Sequence, residues 1–262
     1  MEKERNCNRW YQKLVKILVK SLGFKLCEVN QAIFIKQDNK TVIIIIVHVD
    51  DCTITTSSLF LIIKLKVQIR KHIEITDLSE LHWLLGIEVM QNHEECTITL
   101  SQHSYLESIT HCFGFNELKP ISTLMEPHTK LTNAQSPSTG TKYTAMQHIP
   151  YYEAISSLMY AALGTHPNIS YAISTILCFC SNPRTPHWEA VRQIYRYLID
   201  TKDLCLMYRW TRKLLQGYMD MDRSMSEDQK AVSDYAFLID SSTCYVWAWL
   251  LAVRRIPGVS LK

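Results

Sequence analysis

TVIIIIVHVDDCTITT, residues 41–56, decides how this chain folds. Seven consecutive β-branched residues (41–47) favour a strand. The run does not alternate with polar residues, which predicts a strand over 41–49 buried on both faces. Asp50 and Asp51 follow, and CTITT (52–56) resumes strand character. Apolar strand, acidic turn and second strand make a β-hairpin with two carboxylates at its tip.

Upstream, RWYQKLVKILVKSL (9–22) places Trp10, Leu14, Ile17 and Leu18 at helical spacing, with Gly23 as a stop. QAIFIK (31–36) reads as a strand, and Asp38-Asn39-Lys40 as a turn. Downstream, SSLFLIIKLKVQIRKHI (57–73) reads as a helix with Ser57 or Ser58 as N-cap. LHWLLGIEVM (81–90) and CTITLSQ (96–102) form another strand pair, and residues 102–113 a helix. Residues 120–150 hold Pro120, Pro127, Pro137 and Pro150 and read as a long loop. Residues 151–180 are helical with a break at Thr165-His166-Pro167, and another helix starts near Pro186. From about 203 the pattern returns to strands. The fold class is therefore α+β.

Two adjacent aspartates at the rim of an apolar sheet repel one another. A divalent cation removes that penalty, and magnesium favours carboxylate oxygens together with substrate phosphates. Nucleotidyl transfer uses two such metals on the attacking and leaving oxygens. The other interpretation of the pair is a solvated hairpin tip that only ends the strand.

The chain has 262 residues, 47% hydrophobic and 20% charged, with net charge +3. That length suits one large domain or two ordinary ones. The mild positive charge permits a nucleic-acid partner without requiring one. The nine cysteines include no C-x-x-C pair, only Cys178 and Cys180 as C-x-C. A disulfide framework or zinc site is not expected, and the protein is expected to be intracellular. MEKERNCNRWYQ has no apolar signal core, and the runs 42–47 and 244–253 fall short of the ~20 residues of a membrane helix.

VHVDD (47–51) resembles the Y-V-D-D box of reverse transcriptases, and its surroundings resemble copia-type retrotransposon polyproteins. RWY (9–11), GF (23–24) and IFI (33–35) are similar to that family's boxes before the acidic pair. DLSELHWLLGIEV (77–89), SQHSYLESI (101–109) and FGF (113–115) are similar to those after it. SSLMYAALGTHPNISYAIS (156–174) and SNPRTPHWEAVRQIYRYLIDTKDLCLMY (181–208) continue the series in order.

The resemblance implies a partial reverse-transcriptase palm and primer-grip region over 1–120, a linker over 121–150 and a helical thumb or connection region over 151–203. It then implies the truncated start of an RNase H-like α/β unit over 204–262, whose resemblance fades after about 243. Asp50 and Asp51 match the box that binds Mg2+ or Mn2+. LLQGYMDMD (214–222) resembles the opening RNase H strand, with Asp220 at its first metal-binding aspartate. His48 stands where the family has tyrosine, either stacking near the primer terminus or simply ending a strand. Gly86, in a segment similar to the primer grip, marks either close backbone approach to nucleic acid or a bend. Lys64, Lys66, Arg70 and Lys71 either meet phosphates or form a solvated helix face. Expected partners are an RNA or DNA template-primer and nucleotides, with no membrane.

The family carries a further aspartate in a D-V-x-x-A-F-L box, which this sequence lacks. The acids before Asp50 are Glu2, Glu4, Glu28 and Asp38, and none ends an apolar strand. The chain taken alone is therefore expected not to polymerise DNA. The alternative role is a non-catalytic transposon remnant or nucleic-acid-binding module.

Overall fold

The computed structural model describes residues 2–38, 41–125, 131, 146, 148–210, 215–222, 231–239 and 242–251. The chain divides into two compact units, 1–81 and 82–262. The boundaries expected from sequence lay at 120, 150 and 203.

In the first unit, helix α1 (Glu2–Val15) runs into a π-helical turn (Lys16–Ser21). The helix stops at Gly23, whose φ of +74° suits glycine. Lys36 Nζ donates to the Leu22 carbonyl at 2.7 Å, closing the exposed helix end. The expected apolar face is real: Leu14, Ile17 and Leu18 are buried, and Trp10 packs against the same core.

Four antiparallel strands follow, in the spatial order of the chain: β1 (Lys25–Leu26), β2 (Ile33–Asp38), β3 (Thr41–His48) and β4 (Asp51–Thr56). Phe34, Ile45 and Ile54 lie opposite one another across the three longer strands. Phe34 and Ile45 are buried to 0% and 1% exposure. The expectation that β3 is buried on both faces is corrected. Ile45 and Val47 point into the core, whereas Val42 and Ile46 remain 40% and 43% exposed. The physical reason is one-sided cover. Leu14, Ile17 and Leu18 of the first helix and Leu65 and Ile69 of helix α2 (Leu59–Arg70) join the same cluster as Phe34 and Ile45. Ser58 sits at the N-cap of α2 as expected, but its side chain makes no capping hydrogen bond.

In the second unit, β5 (Trp83–Leu84), β6 (Ile87–Asn92) and β7 (Thr97–Ser101) form a meander. The next strand in that sheet is β8 (Leu206–Arg209), paired antiparallel to β7. Sequence order alone had placed this segment in a separate C-terminal unit. Helices α3 (His103–Cys112), α4 (Tyr151–Gly164), α5 (Ser170–Leu177) and α6 (Thr185–Thr201) come between those two strands. A single 3-10 turn at Pro167–Ile169 marks the expected helical break. Leu158, Ala161, Ile173, Ile176, Ile194 and Tyr195 build the helical core. Most of the expected loop 120–150 lies outside the described residues. The last strands, β9 (Gln216–Asp222), β10 (Ala231–Ile239) and β11 (Ser242–Leu251), form an antiparallel sheet in the order β11-β10-β9. β11 runs past residue 243, the point after which the sequence resemblance was expected to fade.

A buried polar chain ties α3, α4 and α6 together. Gln102 Nε2 donates to the Tyr160 carbonyl at 3.3 Å, and Thr165 Oγ1 donates to Gln102 Oε1 at 2.9 Å. His166 lies beside it, with Nδ1 2.8 Å from Thr165 Oγ1 and Nε2 3.2 Å from the Thr201 carbonyl oxygen. Burial pulls the His166 imidazole below its ordinary pKa, opposed by the Thr201 carbonyl. Gly164 makes room for this chain, because a Cβ there would collide with the Gln102 amide.

Gly164→Ala is expected to lower the urea midpoint, with a loss of roughly 1–3 kcal/mol typical of overpacking. An unchanged midpoint by circular dichroism would show that Gln102 can move aside freely.

Candidate active site and nucleic-acid interface

The register of β3 on β4 pairs His48 with Asp51, so the connection is the two-residue turn Val49-Asp50. Both carboxylates are at the hairpin tip, Asp50 inside the turn and Asp51 on the first residue of β4. Alternation fixes their surroundings. Ile45 and Val47 face inward, so His48 and its partner Asp51 face outward, and both are exposed. The structure thus brings His48, Asp50 and Asp51 together.

Val49 has φ +52°. Two-residue hairpin turns favour glycine, asparagine or aspartate at such a position, and a β-branched residue there is strained. A strain of this kind costs on the order of 1–3 kcal/mol and clusters at functional sites.

Cys52 lies opposite Val47, on the inward side of the hairpin. Its thiol is pushed up to about 11 by burial, then by the carboxylates of Asp51 and Asp50.

Among the described residues no group of three or more histidine, cysteine, aspartate or glutamate side chains is placed to hold a metal. Asp50 and Asp51 supply one adjacent carboxylate pair. Asp220 lies on β9 in the second unit, with its backbone in register with Asp234 of β10.

The four cations of α2 fall into two classes. Lys66 Nζ lies 2.5 Å and Arg70 3.5 Å from the carboxylate of Asp77. The Lys66 hydrogen bond, then the Ser79 backbone N–H at 3.0 Å, holds the Asp77 carboxyl below its ordinary pKa. Lys64 and Lys71 are exposed and have no carboxylate partner among the described residues. Asp77 was not apparent as their competitor from sequence. It lies beyond the helix end and outside the i,i+4 spacing that pattern reading detects.

Gly86 occupies a second two-residue turn, closing β5 on β6 through the pair Leu84 and Ile87. Leu85 and Gly86 both have positive φ, +53° and +76°, the arrangement of a type I′ hairpin turn. Trp83 and Leu85 at this tip are 54% and 46% exposed. The hydroxyl of Tyr160, on α4, donates a hydrogen bond to the Leu85 carbonyl.

The chain is similar to known proteins over nearly its whole length. Residues 4–127 match the family described as reverse transcriptase (RNA-dependent DNA polymerase). The retrovirus-related Pol polyprotein from transposon TNT 1-94 of Nicotiana tabacum is 32% identical over 96% of this chain and 19% of its own length. That from transposon RE1 of Arabidopsis thaliana is 30% identical over 84% of this chain and 14% of its own. A putative transposon Ty5-1 protein of Saccharomyces cerevisiae is 27% identical over 80% and 66% respectively. The chain thus spans under a fifth of the two plant polyproteins. No solved structure matches it.

Two outcomes are expected. Val49→Gly should raise stability by on the order of 1 kcal/mol, the released strain exceeding glycine's added chain entropy; a lower urea midpoint would show that Val49 is unstrained. Asp77→Asn should free Lys66 and Arg70, tightening binding to heparin or duplex DNA. The log–log salt slope should steepen by up to about 1.8, near 0.9 per freed cation. Because the Asp77 pKa is lowered in the fold, its ion pairs are complete above the ordinary carboxylate range and are lost as pH falls through the lowered value. Wild type should therefore converge on the variant in acid. Equal slopes at neutral pH would mean that Asp77 does not withhold these cations.

Proposed function

The chain belongs to the reverse transcriptase region of copia-type retrotransposon Pol polyproteins, and on that premise we propose that its β3–β4 hairpin is the carboxylate-bearing turn of a polymerase palm. The observation that carries this is the two-residue turn, which sets Asp50 and Asp51 side by side on an exposed tip. Strain at Val49 supports it, since a turn selected for stability would carry glycine there.

Reverse transcriptases use divalent metals and bind a nucleic-acid template. In this chain Asp50 and Asp51 are the residues that would face Mg2+ or Mn2+. An adjacent carboxylate pair supplies only part of what two metals need to hold both reacting oxygens. The sequence has no counterpart of the further aspartate that the family carries in a D-V-x-x-A-F-L box, and in this reading the chain by itself binds nucleic acid without extending a primer.

Three regions take up the template-primer in this reading. The hairpin tip with His48 stands at the reacting end. The Leu85-Gly86 turn, with Trp83 and Leu85 exposed, offers apolar contact and a backbone free of a Cβ. Lys64 and Lys71 offer charge to phosphates, and Lys66 and Arg70 join them only when Asp77 is neutralised. We assign Gln216–Ile239, with Asp220, to the opening strands of an RNase H-like unit. The antiparallel pairing of β9 with β10 supports that assignment.

The test is primer extension on a primed RNA template by the purified chain, with Mg2+ or Mn2+, alongside binding by fluorescence anisotropy. No nucleotide incorporation is expected, together with salt-sensitive binding at a Kd on the order of 1–100 µM. Incorporation that disappears in Asp50→Asn would mean the chain alone is a polymerase. Failure to bind at low salt would remove the nucleic-acid role.

A further inference from the structure

The Leu85-Gly86 turn is not held by its own residues alone. Leucine is disfavoured at positive φ, so the pair Leu85-Gly86 specifies this turn less strongly than Asn-Gly would. The turn is anchored from outside by Tyr160, which is 75 residues away in the chain and donates to the Leu85 carbonyl.

Tyr160 is itself oriented. Its ring meets Tyr105 edge to face, with centroids 4.8 Å apart at 74°. The Tyr105 hydroxyl donates to the Ser157 carbonyl at 3.0 Å, one turn back on the same helix as Tyr160. The neighbouring residues of α4, Leu158 and Ala161, are fully buried in the helical core. A rigid helix therefore carries a phenol in one fixed orientation. That phenol meets a backbone acceptor at the centre of the turn. A Cβ on Gly86 would stand at an ordinary 3.7 Å from the Tyr160 hydroxyl. Contact between the two is thus directional, through the carbonyl, and not a tight steric fit.

We infer that Tyr160 is a positioning residue for nucleic-acid contact: it latches the β5–β6 turn to α4 and so fixes how Trp83 and Leu85 are presented. The inference rests on the reading of this hairpin as a template-primer contact. Tyr160 touches no nucleic acid in this scheme. It acts on the ligand only through the Leu85 carbonyl, by sparing the turn the ordering that binding would otherwise require.

The experiment uses the full chain, Tyr160→Phe, and Tyr152→Phe as control. Tyr152 lies on the same helix and is 66% exposed. Phenylalanine keeps the ring contact with Tyr105 and removes only the hydroxyl. Hydrogen exchange without ligand should quicken about five-fold at the amides of 84–89 in Tyr160→Phe, the factor expected for one hydrogen bond. It should be unchanged there in Tyr152→Phe and unchanged on α4 in both. Anisotropy with a fluorescein-labelled DNA primer on an RNA template should show about five-fold weaker binding for Tyr160→Phe. Unchanged exchange at 84–89 would overturn the latch. Quickened exchange with unchanged affinity would overturn its role in binding while the nucleic-acid reading stands. No binding by wild type would overturn that reading and the positioning role with it.

Discussion

Phe34 and Ile45 face each other across β2 and β3, and the geometry of the first unit depends on that contact. Side chains alternate along a strand, so one inward pair fixes the direction of every other residue on both strands. With Ile45 inward, Val47 is inward and His48, the last residue of the strand, is outward. Pairing of β3 with β4 then leaves two residues for the turn. A slip of one residue would bury His48 and expose Val47. Burial of Phe34 and Ile45, at roughly 1.5–3 kcal/mol for each side chain, opposes that slip as well as stabilising the sheet. The position of the acidic pair is therefore a consequence of core packing several residues away.

The second unit uses a different device. Its helices meet around Ile155, Leu158, Ile194 and Tyr195, and hydrogen bonds from buried polar side chains cross between them. Tyr195 donates to the Ala154 carbonyl, and Tyr151 to that of Ile176. Burial pushes both phenols well above the usual tyrosine pKa, so they remain neutral donors. These bonds orient the helices, which in turn hold Gln102 and Tyr160 in place.

Much of this was legible in the sequence because it is local. The helix ending at Gly23, the hairpin at Val49-Asp50, the pairing of β6 with β7, the break at Pro167 and the helix from Thr185 all follow from spacing and turn chemistry. Residues 81–90, read as one strand, are instead split in two by the Leu85-Gly86 turn. The acidic tip was legible because strand, turn and strand are contiguous. The one-sided cover of β3 was not, since Val42 and Ile46 read the same as Ile45 and Val47. Only the docking of two helices on one face tells them apart. Asp77 and Tyr160 were hidden for a related reason. Each acts on residues outside its own element, and residue spacing carries no record of such contacts. The pairing of β8 with β7 is the extreme case, because Leu100 meets Leu206.

That pairing also sets a schedule for synthesis. β7 leaves the ribosome long before β8 exists, with the four helices α3 to α6 between them. At ~5–20 residues per second the interval is roughly 5–20 s. Through that interval β7 can be covered on one side by β6 while its other edge remains open to any extended chain. The sequence meets the hazard with composition: TITLS alternates threonine and serine with isoleucine and leucine, and three of its five side chains carry hydroxyls. Nascent chains of this unit should be most vulnerable to misassembly after the third helix is made and before the last one is finished.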